Sequence, residues 1–251
     1  MKGKFFLLPP GKAGTAIVIG GTVGFGSAIT HELHRRGFAV LTVGRTNPPP
    51  AEAWRNYPCD VGDAQAWQSC VRQIVETAAP SSVQVLVYVV GYARVFPFGE
   101  TPPEEWDRHF RLNLTYVAES FPRLQRLLCD NAHVATTGSQ WSYRHGWPDL
   151  IPYITAKHAL ASLTEEYAVT FPEHRFKHYC VPTMATKGYA AVRASAVASH
   201  GKLHGFANPR HPADPALIGS FFVEHMLNSR ESEHVLHGIA PTGEMREIAV
   251  P

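Results

Sequence analysis

The sequence predicts an α/β fold: one doubly wound parallel sheet of about seven strands with helices on both faces. Two observations carry this. Runs that are apolar throughout recur at 15–20, 38–43, 83–90, 132–137, 177–181 and 233–239, with a weaker one just before Cys59. Strands buried on both faces read this way. Stretches with helical spacing separate these runs, and strict alternation of the two types is the mark of a parallel sheet with crossover helices. No linker divides the chain, so residues 1–251 are expected to form one Rossmann-type domain.

Residues 1–13 read as an irregular lead. The run 15–20 ends on Gly20, and a helix is expected over 24–36, with Ile29 and Leu33 on one side. Gly44 closes the second strand, and 47–57 is loop-like. Asp63 can cap a helix over 64–78 that places Trp67, Val71 and Ile74 on one face. Gly91 closes the strongest strand, 83–90. Thr101-Pro102-Pro103-Glu104 is a good helix start, and that helix should run to about 129, with a kink at Pro122. A helix is expected over 152–171, irregular or marginally helical chain over 183–212, and a last helix from Asp214-Pro215 to 228. Ligands on such a sheet sit at the carboxyl ends of the strands, so Gly20, Gly91 and Ser139 should line one edge.

With 45% hydrophobic residues, 18% charged residues and a net charge of +2, the chain suits a globular protein with a large core rather than one gripping nucleic acid through a strong basic field. Cys59, Cys70, Cys129 and Cys180 lack metal-type spacing and read as buried thiols in a reducing compartment. The lead is too short in apolar residues for a signal-peptide core, and no run approaches a membrane span, so a cytoplasmic location is expected. His31 and His34 lack zinc-protease spacing, and His200, His204 and His211 read as solvated loop histidines. No metal site is expected.

Gly20-Gly21-Thr22-Val23-Gly24-Phe25-Gly26 lies between the first strand and its helix. Glycines there allow a tight turn and close approach of a pyrophosphate to the helix amino end. The second strand ends in Val43-Gly44-Arg45-Thr46, without the acid that would hold a ribose 2′-hydroxyl; Arg45 suits a 2′-phosphate and favours NADP(H). Tyr153 and Lys157 are four apart on one helix face. An ammonium beside a phenol favours the phenolate, and such a pair can pass a proton to a substrate oxygen. A hydroxyl from Ser139 could hold the same oxygen.

In this order and spacing the chain resembles the short-chain dehydrogenase/reductase family over nearly its whole length. The residues carrying the resemblance are the turn Val18–Gly26, Asp60-Val61, the Tyr88-Val89-Val90-Gly91 segment, Asn113, Ser139, Tyr153, Lys157 and Pro182-Thr183. The resemblance implies a catalytic set of Ser139, Tyr153, Lys157 and Asn113, the last anchoring a proton-relay water. It implies cofactor contacts from Gly20, Thr22, Gly24, Phe25, Gly26, Arg45, Thr46, Asp60, Val61, Gly91, Tyr153, Lys157, Pro182 and Thr186. Tyr88 stands where the family has a small amide, Thr183 where it has glycine, and Ser142 rivals Ser139 because the interval from Ser139 to Tyr153 is one residue longer than the family's common spacing. Ser139 is preferred because it directly follows its strand.

Tyr92, Phe96, Phe98, Gln140, Trp141, Tyr143, Trp147 and Tyr189 are expected in loops at the carboxyl edge, near a small-molecule carbonyl substrate. The implied activity is NADPH-dependent reduction of a bulky apolar or aromatic ketone. The rivals are NADP-dependent alcohol oxidation at the same site and a non-catalytic dinucleotide sensor. By resemblance a homodimer or homotetramer is expected, with pairing through the helices at about 102–129 and 152–171; no nucleic acid or membrane partner is expected.

Overall fold

The structure is a computed structural model that describes residues 13–47, 54–142, 148–199, 211–229 and 236–247. Its sheet has eight strands in the order β3-β2-β1-β4-β5-β6-β7-β8. The strands are β1 (Gly14–Ile19), β2 (Phe38–Gly44), β3 (Arg55–Pro58), β4 (Val83–Tyr88), β5 (Leu128–Ser139), β6 (Arg175–Val181), β7 (Leu236–Ile239) and β8 (Met245–Glu247). The first seven are parallel, as the sequence predicts. The eighth, which the sequence reading lacks, folds back antiparallel on β7 through a turn at Gly243, whose φ is 93°.

The helices are α1 (Gly24–Arg35), α2 (Ala64–Thr77), α3 (Pro103–Phe110), α4 (Tyr116–Leu124), α5 (Ile151–Thr170), α6 (Lys187–Ala198) and α7 (Pro215–Asn228). On one face α2, α4 and α5 cover a core that includes Trp67, Tyr116, Phe121 and Leu160. On the other, α1 and α7 cover Ile29, Leu33, Phe222 and Val223. The two inner helices of that face are fastened by Glu32, which takes Arg35 and Arg36 while Arg36 reaches Glu224.

Three expectations change. The long helix over 102–129 is α3, a π-helical turn over Arg111–Thr115, α4, and a short 3-10 turn over Gln125–Leu127. The break comes at Asn113 because its amide bonds outside the helix; Pro122 sits inside α4. The residue at the N-cap of α3 is Pro102, so no side chain caps that helix. The β4 strand stops at Tyr88, leaving Val89 and Val90 as the crossing into the site. Within 183–212, residues 187–198 form a regular helix, α6, because the Thr186 hydroxyl accepts from the Tyr189 N–H at its amino end and Val192 and Ala196 bury one face. Asp63 caps α2 as expected, through Gln65 and Ala66.

The chain runs β1 to β3 on one side and crosses to β4 on the other, so strand order reverses between β1 and β4. The carboxyl ends at that switch point are Gly20 and the Val89–Gly91 segment. This is where a doubly wound sheet leaves a crevice.

Candidate active site

A cavity of about 880 Å³ opens at this crevice. At one end lies the glycine turn. Gly20 has a φ of 95° and Gly24 one of 57°, conformations that favour glycine. A Cβ on Gly26 would lie 2.0 Å from the Gly20 carbonyl oxygen, so the turn closes only with glycine there. The amino end of α1 begins at Val23 with no side-chain cap, and Val23, Gly24, Phe25 and Gly26 line the cavity. Uncapped amide N–H groups at a helix start attract an anion. The residues present therefore fit a pyrophosphate.

Beside it, Arg45 and Asp60 line the cavity, their side chains 3.8 Å apart and largely exposed. Asp60 Oδ1 also accepts from the Gly62 N–H at 2.9 Å. Thr46 is exposed next to Arg45 and is not among the lining residues. Gly44 faces Thr22: a Cβ on it would meet Thr22 Oγ1 at 2.2 Å. Thr22 thus fills the space that any side chain at 44 would need.

At the other end stand Ser139, Tyr153 and Lys157, all lining the cavity. Ser139 ends β5, paired to Val181 of β6. Its Oγ accepts the Trp141 N–H at 3.1 Å, which leaves its own proton to donate. Tyr153 and Lys157 come from successive turns of α5. Burial pushes the Tyr153 phenol up to about 12, and a hydrogen bond with Ser139 pulls against that rise. Lys157 is 3% exposed and donates to the Thr137 carbonyl at 2.8 Å and, at the limit of bonding distance, to the Val90 carbonyl at 3.5 Å. Burial brings the Lys157 ammonium down to about 7. The sequence reading has Lys157 lowering the phenol; here the downward pull comes from the Ser139 hydrogen bond.

The rival Ser142 is 2% exposed and does not line the cavity. Asn113 is buried behind Gly91, and its amide is engaged by backbone: Oδ1 accepts from the Tyr92 N–H at 3.1 Å, and Nδ2 donates to the carbonyls of Tyr92 and His109. Its side chain fastens the loop after β4.

Among the expected cofactor contacts, Val61, Gly91, Pro182 and Thr186 line the cavity. Thr186 also faces Gly24 across the turn. Among the substrate candidates, Tyr92, Trp141 and Tyr189 line it, whereas Gln140 sends its amide to the Ile239 carbonyl and Phe98 is 71% exposed. Phe96 is half-buried under the guanidinium of Arg94 and is not among the lining residues. Tyr143, Trp147, His200 and His204 fall outside the described residues. Among the described residues no group of three or more His, Cys, Asp or Glu could hold a metal, and no helix is long and apolar enough to cross a membrane.

Both departures at Tyr88 and Thr183 have local partners. Tyr88 is fully buried, its hydroxyl 3.2 Å from Ser120 Oγ and its ring against Tyr116. Thr183 accepts the indole N–H of Trp141 at 3.0 Å.

Sequence reasoning missed the brace on the loop after β4. Glu105, which reads as a first-turn acid serving the helix dipole, is 7% exposed and accepts from the Tyr92 hydroxyl at 2.7 Å and from Arg94 at 3.2 Å. Both backbone groups of Val95 are held from the end of α6, the N–H by Ser195 and the carbonyl by Ser199, which caps the helix. Helix-surface spacing gives no sign of either contact, since both depend on a loop folding back.

The carbonyl reductase (NADPH) 2 of Sus scrofa is 26% identical over 210 residues, 78% of this chain and 80% of that protein. The L-xylulose reductase of Bos taurus is 28% identical over 219 residues, 81% of this chain and 87% of that protein. A crystal structure of a short chain dehydrogenase family protein from Francisella tularensis superposes with a TM-score of 0.76 at 18% identity, covering 90% of this chain and 96% of that one. The family model for short chain dehydrogenase matches residues 14–196, across the glycine turn, the β4 crossing and the Ser139–Lys157 segment, and the chain belongs to that family of oxidoreductases.

Proposed function

We propose that the protein is an NADPH-dependent reductase of apolar or aromatic ketones in which Tyr153 is the proton donor. The observation that supports this best is the convergence of the Ser139, Tyr153 and Lys157 side chains on one end of a cavity whose other end is an uncapped helix start. The net change is one ketone, one NADPH and one proton becoming one secondary alcohol and one NADP⁺. The reduced nicotinamide, when bound, supplies the electron pair and hydrogen that the carbonyl carbon takes up.

The chain's own residues do the rest. The amide N–H groups of Gly24, Phe25 and Gly26 hold the pyrophosphate, and Arg45 pairs with the 2′-phosphate. Ser139, its oxygen already bonded by the Trp141 N–H, donates its hydroxyl to the substrate oxygen and fixes it beside the phenol. Tyr153 gives that oxygen its proton as charge develops there. Lys157, one turn further along α5 and lining the same cavity, returns a proton to the phenolate from its ammonium form. Asn113 is a positioning residue: it holds the Tyr92 segment that walls the cavity. The Ala93, Met184 and Val192 side chains give the substrate end an apolar lining. The NADPH in the name of the Sus scrofa relative points the same way.

The test is loss of NADPH absorbance with a panel of ketones, run on the wild type and on Tyr153→Phe. The variant should bind NADPH normally and lose at least ~10²-fold in turnover, the low end of acid–base contributions. Turnover near that of the wild type would refute the assignment.

A further inference from the structure

Two residues outside the family-like pattern hold each other at the reacting end of the cavity. Trp141 follows Ser139 by two positions, and Thr183 stands where glycine is usual. The Trp141 indole N–H donates to Thr183 Oγ1 at 3.0 Å. Its ring is 6% exposed and meets the Tyr153 ring edge-on, the centroids 5.8 Å apart. It is backed by Val95, Leu150, Val192 and Ala196. A buried indole with its one polar atom bonded has a fixed orientation.

We propose that the Trp141–Thr183 pair determines which ketones are reduced, by restricting one substituent of the carbonyl carbon to about the size of a methyl group. This rests on the reductase reading above. A carbonyl oxygen between Ser139 and Tyr153 directs one substituent toward the pinned indole. The other points along the cavity past Ala93 and Tyr189, which also line it, and takes the larger group. Trp141 is then a specificity-determining residue, and Thr183 a positioning residue that acts through it. The preferred class is aryl or alkyl methyl ketones.

The experiment measures kcat/KM with NADPH for acetophenone, 2-acetonaphthone and butyrophenone. The wild type should reduce the two methyl ketones and disfavour butyrophenone by at least about tenfold, since a single misplaced methylene in a tight pocket is worth that much. Trp141→Ala should bring the acetophenone-to-butyrophenone ratio near one. Thr183→Val, which keeps shape and loses the acceptor, should lower the ratio by about threefold or more, and Thr183→Ser should restore it. If Trp141→Ala misfolds, the Thr183 pair decides alone. A wild type that reduces butyrophenone as well as acetophenone, or a ratio unmoved by Trp141→Ala and Thr183→Val, overturns this inference and leaves the reductase reading standing. No NADPH consumption with any ketone overturns the reductase reading and this inference with it.

Discussion

Lys157 shows how far a single side chain departs from its solution chemistry here. Its ammonium is buried and has two carbonyls for partners, and burial brings it down to about 7 from an ordinary value of 10.5. Between these two values the unfolded chain binds the proton and the folded chain does not. Lys157 therefore contributes stability to the cofactor-free protein that grows as pH rises from about 7 to 10.5, whereas the Tyr153 phenol, held above its ordinary value of 10, acts the opposite way above that pH. Lys157→Met should flatten that part of the curve, which urea melts at a series of pH values would register. A Lys157→Met curve parallel to that of the wild type would contradict it.

Arg45 and Thr22 make the corresponding case for the cofactor. Arg45→Ala should raise the KM for NADPH at least ~10-fold, the loss of one charged pair to phosphate, and leave that for NADH nearly unchanged. Gly44→Asp alone should not create preference for NADH, because Thr22 Oγ1 lies 2.2 Å from where the new Cβ would stand. Steady-state kinetics with both cofactors test the two variants together. Much of this site is legible from the residues alone, because Gly20, Gly24, Gly26 and Arg45 act through backbone shape and formal charge. The Trp141–Thr183 bond is not, since nothing local to either residue announces a partner 42 positions away.

Elements show where periodicity stops being informative. The stretch from 103 to 127 has helical spacing throughout, yet it divides at a wider turn around Asn113. The cause is an amide that bonds the backbone of another segment, which no helical period records. Asn113→Ala removes three hydrogen bonds, one buried and two part-buried, and takes the acceptor from the Tyr92 N–H. It should destabilise the protein by about 1–3 kcal/mol and lower turnover while NADPH binding survives. Denaturant unfolding and cofactor titration separate the two effects. The α6 helix escaped for another reason: its apolar face, Val192 and Ala196, is too narrow for a periodicity signal, and its cap, Thr186, also belongs to the cavity wall.

At the scale of the molecule, the fold class and the strand sequence are legible because each parallel strand is apolar along its length. Binding should report on the whole. If the cavity takes NADPH and the unfolded chain does not, cofactor at 100 times its Kd stabilises the protein by about 2.7 kcal/mol. NADH at the same concentration should stabilise less, and equal melting temperatures with the two would argue against a 2′-phosphate site. The antiparallel β8 is invisible to the parallel pattern, being only three residues long and formed by a turn at Gly243.

That short return has a further effect. A sheet's outermost strand exposes unpaired N–H and C=O groups, on which a stranger's chain can zip. Here the two outermost strands described are short, four residues in β3 and three in β8, and β3 ends on Pro58, which has no N–H to offer. The longest strands, β5 above all with its 12 residues, lie inside. The sheet thus presents little template for lateral growth into fibrils, and crowding or mild heating should leave it dispersed until the molecule as a whole melts.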